Sequence, residues 1–160
     1  MTSYFSHKLS IVFYTGIFAA CLFLIPFVFV HAATLTLTPT TGSYGVGQTF
    51  TATLRAAPGS GENVNAVEAT LKFDPALLSV VSVSKTGSVF SLWTTEPTFS
   101  NAAGTITLGG GSPSPFTSTS NIVSITFRTV AQGSAGVTFT SGSVLAADGR
   151  GTDVYKGGTP

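Results

Sequence analysis

The sequence predicts an all-β, antiparallel sandwich of about eight or nine short strands, and three observations carry that prediction. Apolar and polar residues alternate with period two over several short runs. Clusters of Gly, Pro, Asn and Ser punctuate those runs at short intervals. Beyond the N-terminal segment, no stretch carries the helical periodicity of an amphipathic face.

The N-terminal segment stands apart from the fold. Leu9 to Val30 is almost entirely apolar, follows Lys8 and leads into Val30-His31-Ala32-Ala33. A basic start, an apolar centre and a small-residue exit make an export signal, cleaved after Ala32 or Ala33. Residues 9–30 are also long enough to span a bilayer as a helix, so an uncleaved membrane anchor is the alternative. Phe18-Ala19-Ala20-Cys21 resembles a lipoprotein site, but apolar residues continue beyond the cysteine where a lipidated chain should turn polar. The chain therefore divides into residues 1–33, signal or anchor, and residues 34–160, a single domain large enough to bury a core.

Within that domain, Thr34 to Thr38 alternates and ends at Pro39. Gln48 to Leu54 alternates again after a loop with Gly42, Gly45 and Gly47. Ala57 to Asn63 is a loop by composition. It delivers the chain to Val67, Ala69, Leu71 and Phe73, an apolar face whose reverse carries Glu68, Thr70 and Lys72. Phe73-Asp74-Pro75 interrupts that strand, because proline offers no ladder donor and an aspartate accepts from nearby amides. Leu77 to Val83 follows as a β-branched run that reads as a more deeply buried strand. Trp93 to Ser100 reads as an edge strand tolerating Pro97, and Asn101 to Gly104 as a turn. Thr105 to Leu108 is the next strand, after which Gly109-Gly110-Gly111 and Pro113-Ser114-Pro115 break the pattern. Asn121 to Val130 is long and clear, with Val123, Ile125 and Phe127 on its dry face. Val137 to Thr140 and Gly142 to Leu145 complete the β content. Tyr155 to Pro160 ends where a closing strand is expected; either that strand lies beyond Pro160 or the sheet closes differently.

Composition removes several function classes. The six Lys and Arg beyond Lys8 are matched by six Asp and Glu, leaving no basic stripe for nucleic acid. Cys21, the only cysteine, lies in the leader, so the domain has no disulfide and no Cys/His zinc pattern. Both histidines, His7 and His31, fall in or beside the leader, which excludes a Ser-His-Asp or Cys-His arrangement in the domain. Carboxylates sufficient for a glycosidase pair exist, but none has a matching context, and Asp74 is explained by the corner it makes.

In their order and spacing these strands resemble the cohesin domain, the jelly-roll β-sandwich module of cellulosomal scaffoldins and related surface proteins. The resemblance spans Thr34 to Tyr155 and is most specific at the strand running into Phe73-Asp74-Pro75 and then Leu77 to Val83. Gly104 to Leu108, Ile122 to Phe127 and Gly142 to Gly149 add to it. It implies an exported, non-catalytic recognition module at the cell surface, in polysaccharide-degrading assemblies, whose partner is a dockerin-type protein domain. It also implies that the partner lies on a flat sheet face to which the strand before the Asp-Pro corner contributes. By that resemblance the partner-binding positions are Glu68, Thr70, Lys72, Thr105, Thr107 and Gly109. Carbohydrate binding is a second family association, and a structural domain of a larger surface protein is a third reading.

Two side readings remain. Trp93, with Tyr44 or Tyr155, is a candidate sugar-stacking platform, weighed against partial burial as core or edge cover. Asp148-Gly149-Arg150-Gly151-Thr152-Asp153 is the one metal-like loop, with Asp148 and Asp153 as candidate calcium ligands. Arg150 opposes a cation there, so the loop reads first as a glycine-rich connection and no cofactor is expected.

Overall fold

The computed structural model describes residues 32–159, and the readings that fall on the leader, including Cys21, lie outside the described residues. Nine strands follow one another: β1 (Ala33–Thr38), β2 (Thr49–Ala57), β3 (Val64–Phe73), β4 (Leu78–Ser84), β5 (Leu92–Ser100), β6 (Thr105–Phe116), β7 (Ser120–Thr129), β8 (Val137–Ala146) and β9 (Tyr155–Thr159). They form a five-stranded sheet in the order β4-β7-β2-β1-β9 and a four-stranded sheet in the order β5-β6-β3-β8. All pairings between these strands are antiparallel except β1 with β9, which run parallel.

The alternation in the sequence explains why the sheets face each other. Leu35 and Leu37 of β1, Leu54 of β2, Leu71 and Phe73 of β3, and Ile125 and Phe127 of β7 are all buried. Each such side chain contributes about 1.5–3 kcal/mol by leaving water, and with no disulfide this dry layer is what holds the sheets together. Ile122 is buried alongside Val123 because β7 carries an extra residue there. Leu54 pairs with Val123 and Arg55 with Asn121, which leaves Ile122 unpaired and turned inward.

The corner after β3 forms as the sequence requires. Asp74 Oδ1 accepts from the Ala76 amide at 2.9 Å, and the Asp74 carbonyl accepts from Leu77 and Leu78. Gly104, at φ 62°, lies so close that a Cβ would sit 2.3 Å from the Phe73 carbonyl oxygen, so the β5–β6 turn needs glycine there.

Three expectations are corrected. The run after the corner is an edge strand rather than a deeply buried one: Leu78 and Val80 are buried, but Val81 is 51% exposed. A bulge between Val80 and Ser82 leaves Val81 unpaired and turned outward, while Val83, opposite Ile125, still packs against the core. The triglycine and the Pro-Ser-Pro run do not end β6, which continues to Phe116. Gly110 is required by close approach, since a Cβ would lie 2.8 Å from the Leu92 carbonyl oxygen and 3.0 Å from the Trp93 ring. Finally, the terminal stretch is itself a strand, with Ala33 opposite Tyr155 and Leu35 opposite Gly158, so the five-stranded sheet ends on β9.

Candidate functional site

The outer face of the four-stranded sheet brings together all six residues singled out on β3 and β6. Glu68 is directly opposite Gly109, Thr70 opposite Thr107, and Lys72 opposite Thr105. Their inward neighbours Val67, Ala69, Leu71 and Phe73 are buried, so the alternation turns these six to the other side. The rows extend across the flanking strands: Thr95, Gly109, Glu68 and Ser143 form one, and Thr98, Thr107, Thr70 and Ser141 the next. Ser100, Thr105, Lys72 and Thr138 form a third. The result is a hydroxyl lattice four strands wide with one carboxylate and one ammonium.

A shallow depression of about 220 Å³ lies between Glu68, Thr70, Thr95, Thr107, Ser141 and Ser143. Gly109, singled out with the other five, is itself buried beneath this surface, where a Cβ would come within 3.1 Å of Thr94 Oγ1 and 3.3 Å of Glu68 Cγ. Glycine lets β5 and the Glu68 stem close over that spot. Glu68 is exposed and makes no ion pair among the described residues, whose one salt bridge joins Lys85 to Glu96 at 2.8 Å. The Lys72 ammonium donates to the Ala103 carbonyl and is thereby held toward the β5–β6 turn. Such a face can accept and donate many hydrogen bonds, while its flatness suits a broad macromolecular partner better than a small substrate.

Sequence reasoning missed the contributions of β5 and β8 to this face. The hydroxyls of Thr95, Thr98, Thr138, Ser141 and Ser143 are visible in the sequence, but the long-range pairing of β3 with β8 that aligns them is not.

Trp93 does not join a platform with Tyr44 or Tyr155. Its indole is half-buried, meets Phe90 edge to face at 5.8 Å, and carries the Lys85 ammonium 5.5 Å from its ring centre. It covers Gly110 at the sheet edge, whereas Tyr44 stacks on Phe50 of the other sheet at 4.1 Å, and Tyr155 lies on β9. A larger cleft of about 420 Å³ opens beside Tyr44 and Phe50, between the β1–β2 and β7–β8 connections.

The two candidate calcium ligands serve the backbone instead. The Asp148 carboxylate accepts from the Arg150 amide at 2.8 Å and from the Thr152 hydroxyl, and that hydroxyl, followed by the amide, holds it below the usual carboxylate range. Asp153 Oδ1 accepts from Val144 at 3.1 Å and Tyr155 at 2.9 Å. Slight burial pushes its pKa up, but the Tyr155 and Val144 amides, with Ser143, outweigh it and the net direction is down. Burial, followed by the Asp153 charge, raises the Tyr155 phenol. Among the described residues no group of three or more His, Cys, Asp or Glu side chains is placed to hold a metal.

Comparison with known proteins bears on the whole sandwich. Among curated proteins nothing matches. Among solved structures, the second type II cohesin module of the ScaA scaffoldin of Acetivibrio cellulolyticus superposes with a TM-score of 0.56 at 15% identity, covering 82% of this chain and 92% of that one. A type I cohesin of Clostridium thermocellum, solved as a cohesin–dockerin complex, gives 0.61 at 12% identity, covering 80% and 91%. The non-cellulosomal cohesin of the archaeon Archaeoglobus fulgidus gives 0.60 at 15% identity, covering 79% and 86%. These likenesses establish the fold, and the family model of the cohesin domain matches residues 33–157. With its two-sheet sandwich, its Asp-Pro corner and a family match running from β1 into β9, the chain belongs to the cohesin domain family, whose members are non-catalytic binding modules.

Proposed function

We propose that this chain is an exported recognition module that captures a dockerin-type protein domain on the outer face of β5, β6, β3 and β8. The observation that carries the reading is the register: Glu68, Thr70 and Lys72 lie opposite Gly109, Thr107 and Thr105, making one polar face around a shallow depression. Support comes from a similar cohesin whose structure is a cohesin–dockerin complex. Export rests on the apolar run from Leu9 to Val30 behind Lys8, whether the leader is cleaved or kept as an anchor. Polysaccharide binding has less behind it, because Trp93 is committed to Phe90 and Lys85.

The test is capture of a panel of dockerin domains by the parent chain, by Glu68→Ala/Lys72→Ala and by Thr107→Arg. Placing a long cation at the centre of the face should weaken capture tenfold or more, about 1.4 kcal/mol, with an unchanged melting temperature. Unchanged capture by both variants would remove this face from consideration. Failure of the parent to capture any dockerin would overturn the partner class itself.

A further inference from the structure

The domain buries one charged side chain among the described residues, and dockerin capture on the β5-β6-β3-β8 face does not use it. Glu62, in the β2–β3 loop, is 7% exposed. Its Oε2 accepts from the Gly59 amide at 2.9 Å, closing a turn in which the Glu62 amide also donates to the Gly59 carbonyl at 3.1 Å. Its Oε1 is buried and has no hydrogen-bond partner. A buried carboxylate with an unsatisfied oxygen is costly unless a cation or further donors complete it. The one salt bridge among the described residues, Lys85 with Glu96, leaves Glu62 out.

What lies beside that carboxylate is the start of the folded chain. A point one bond out from Gly59, where a Cβ would stand, is 2.9 Å from Glu62 Oε2, 2.6 Å from the Ala32 nitrogen and 3.1 Å from the Ala32 carbonyl carbon. That carbon is bonded to the nitrogen of Ala33. Ala33 is fully buried as the first residue of β1, and its amide donates to the Val154 carbonyl at 2.9 Å. Independently, Val30-His31-Ala32-Ala33 is a small-residue exit of the kind at which an export peptidase cuts.

We propose that the chain is cut between Ala32 and Ala33 and that Glu62 is the buried counter-charge for the α-ammonium so created. Hydrolysis adds water across the bond. The hydroxyl goes to the Ala32 carbonyl carbon, which leaves as the carboxylate end of the leader, and the Ala33 nitrogen gains the protons that make it –NH₃⁺. One of its three donors keeps the Val154 carbonyl, and the others reach the Glu62 carboxylate. The alternative cut, after Ala33, would remove a fully buried side chain and the hydrogen bond that ties β1 to the segment entering β9. Gly59 follows from the same geometry: any side chain there would stand between the carboxylate and the start of β1. The leader is thus tied to the fold, since its removal supplies the cation that Glu62 lacks.

The experiment has two arms. Full-length chain is exported from a bacterial host and the N-terminus of the product is read by mass spectrometry. Ala33 is expected, and a product that keeps the leader or starts elsewhere overturns the cleavage. The exported product is then compared with the same chain N-terminally acetylated, each with Glu62 and with Glu62→Gln. With Glu62 present, acetylation should lower the melting temperature by about 3 °C or more. In the Glu62→Gln background the loss should fall to a small fraction of that. Equal losses in both backgrounds would show that the ammonium and Glu62 do not interact and would overturn the pairing. Should Glu62→Gln fail to fold, the acetylated chain with Glu62 intact still decides the matter, because unaltered stability there contradicts the proposal.

Discussion

Asp153 shows how much a single acidic residue can organise without being a site. Its carboxylate takes the amides of Val144 and Tyr155, joining the end of β8 to the start of β9. The two amides drive its pKa down against the effect of burial. A carboxyl whose folded pKa lies below its unfolded value stabilises the fold above the unfolded value, near 3.9, and loses that contribution as pH falls through the folded one. Asp153→Asn should therefore lose about 1 kcal/mol at neutral pH, since an amide accepts more weakly than a carboxylate. It should also flatten the acid limb: urea midpoints measured from pH 7 down into acid should converge with the parent as pH falls through the lowered pKa of the folded carboxyl. A gap that stays constant with pH would mean the carboxylate charge is irrelevant. From the sequence, Asp153 was legible only as one of two acids flanking a glycine loop, because its real partners sit nine and two residues away across a strand pairing. Asn101 was hidden for the same reason. Read as a turn residue, it uses its side-chain amide as a strand partner, accepting from the Val80 amide at 2.7 Å and donating to the Val80 carbonyl at 2.9 Å. It thereby blunts the open edge of β4 just where the bulge begins.

At the level of elements, β3 was the most legible and β6 the least. Strict alternation from Val67 to Phe73 fixed which side of β3 is dry, and the Asp-Pro corner fixed where it ends. β6 misled because glycine is a poor strand former, yet here it is demanded by what crosses it. Phe90 and Trp93 fold inward over Gly110, with Phe90 Cδ2 3.1 Å from where a Cβ would be and the β5 backbone closer still. The aromatics fill the volume that a side chain at Gly110 would otherwise take, so the inner face is complete although the strand carries no bulk there. Gly110→Ala should then cost about 1–3 kcal/mol, as overpacking against backbone cannot be relieved by a rotamer change. Gly87, whose added Cβ meets nothing within 4 Å, is no control because its φ of 76° penalises alanine for a different reason; Gly136, open and without that strain, is. Gly136→Ala should be neutral or slightly stabilising in the same thermal melt. Equal melting temperatures for the two alanine variants would refute the close approach at Gly110 as the reason for glycine.

Over the whole molecule, the two long sides of the sandwich are closed by different means. On one side, edges β4 and β5 are bridged by Asn101 and by the Lys85–Glu96 pair, which spans exposed side chains and adds little. On the other, β8 and β9 interlock reciprocally: Tyr155 of β9 packs on Gly142 of β8, and Phe139 of β8 packs on Gly158 of β9. A Cβ on either glycine would stand 2.8 Å or less from the opposing ring, so each glycine exists to receive the other strand's aromatic. Nothing in the local pattern of Tyr155 to Thr159 announces this, because a parallel pairing with β1 joins the two ends of the domain. Deleting residues 155–160 removes the half-buried Tyr155 ring, worth about 1 kcal/mol in burial alone, and strips the ladder from the free side of β1. That edge, Ala33 to Thr38, carries alternating Leu and Thr with no charge and no proline, the kind of flat apolar edge that recruits another copy. The truncated chain should melt at least about 5 °C lower and associate with rising concentration, seen as a shift to larger species in size-exclusion chromatography with light scattering. A truncated chain that stayed monomeric with an unchanged melting temperature would mean that β1 needs no partner on that side and that β8 alone closes the sandwich.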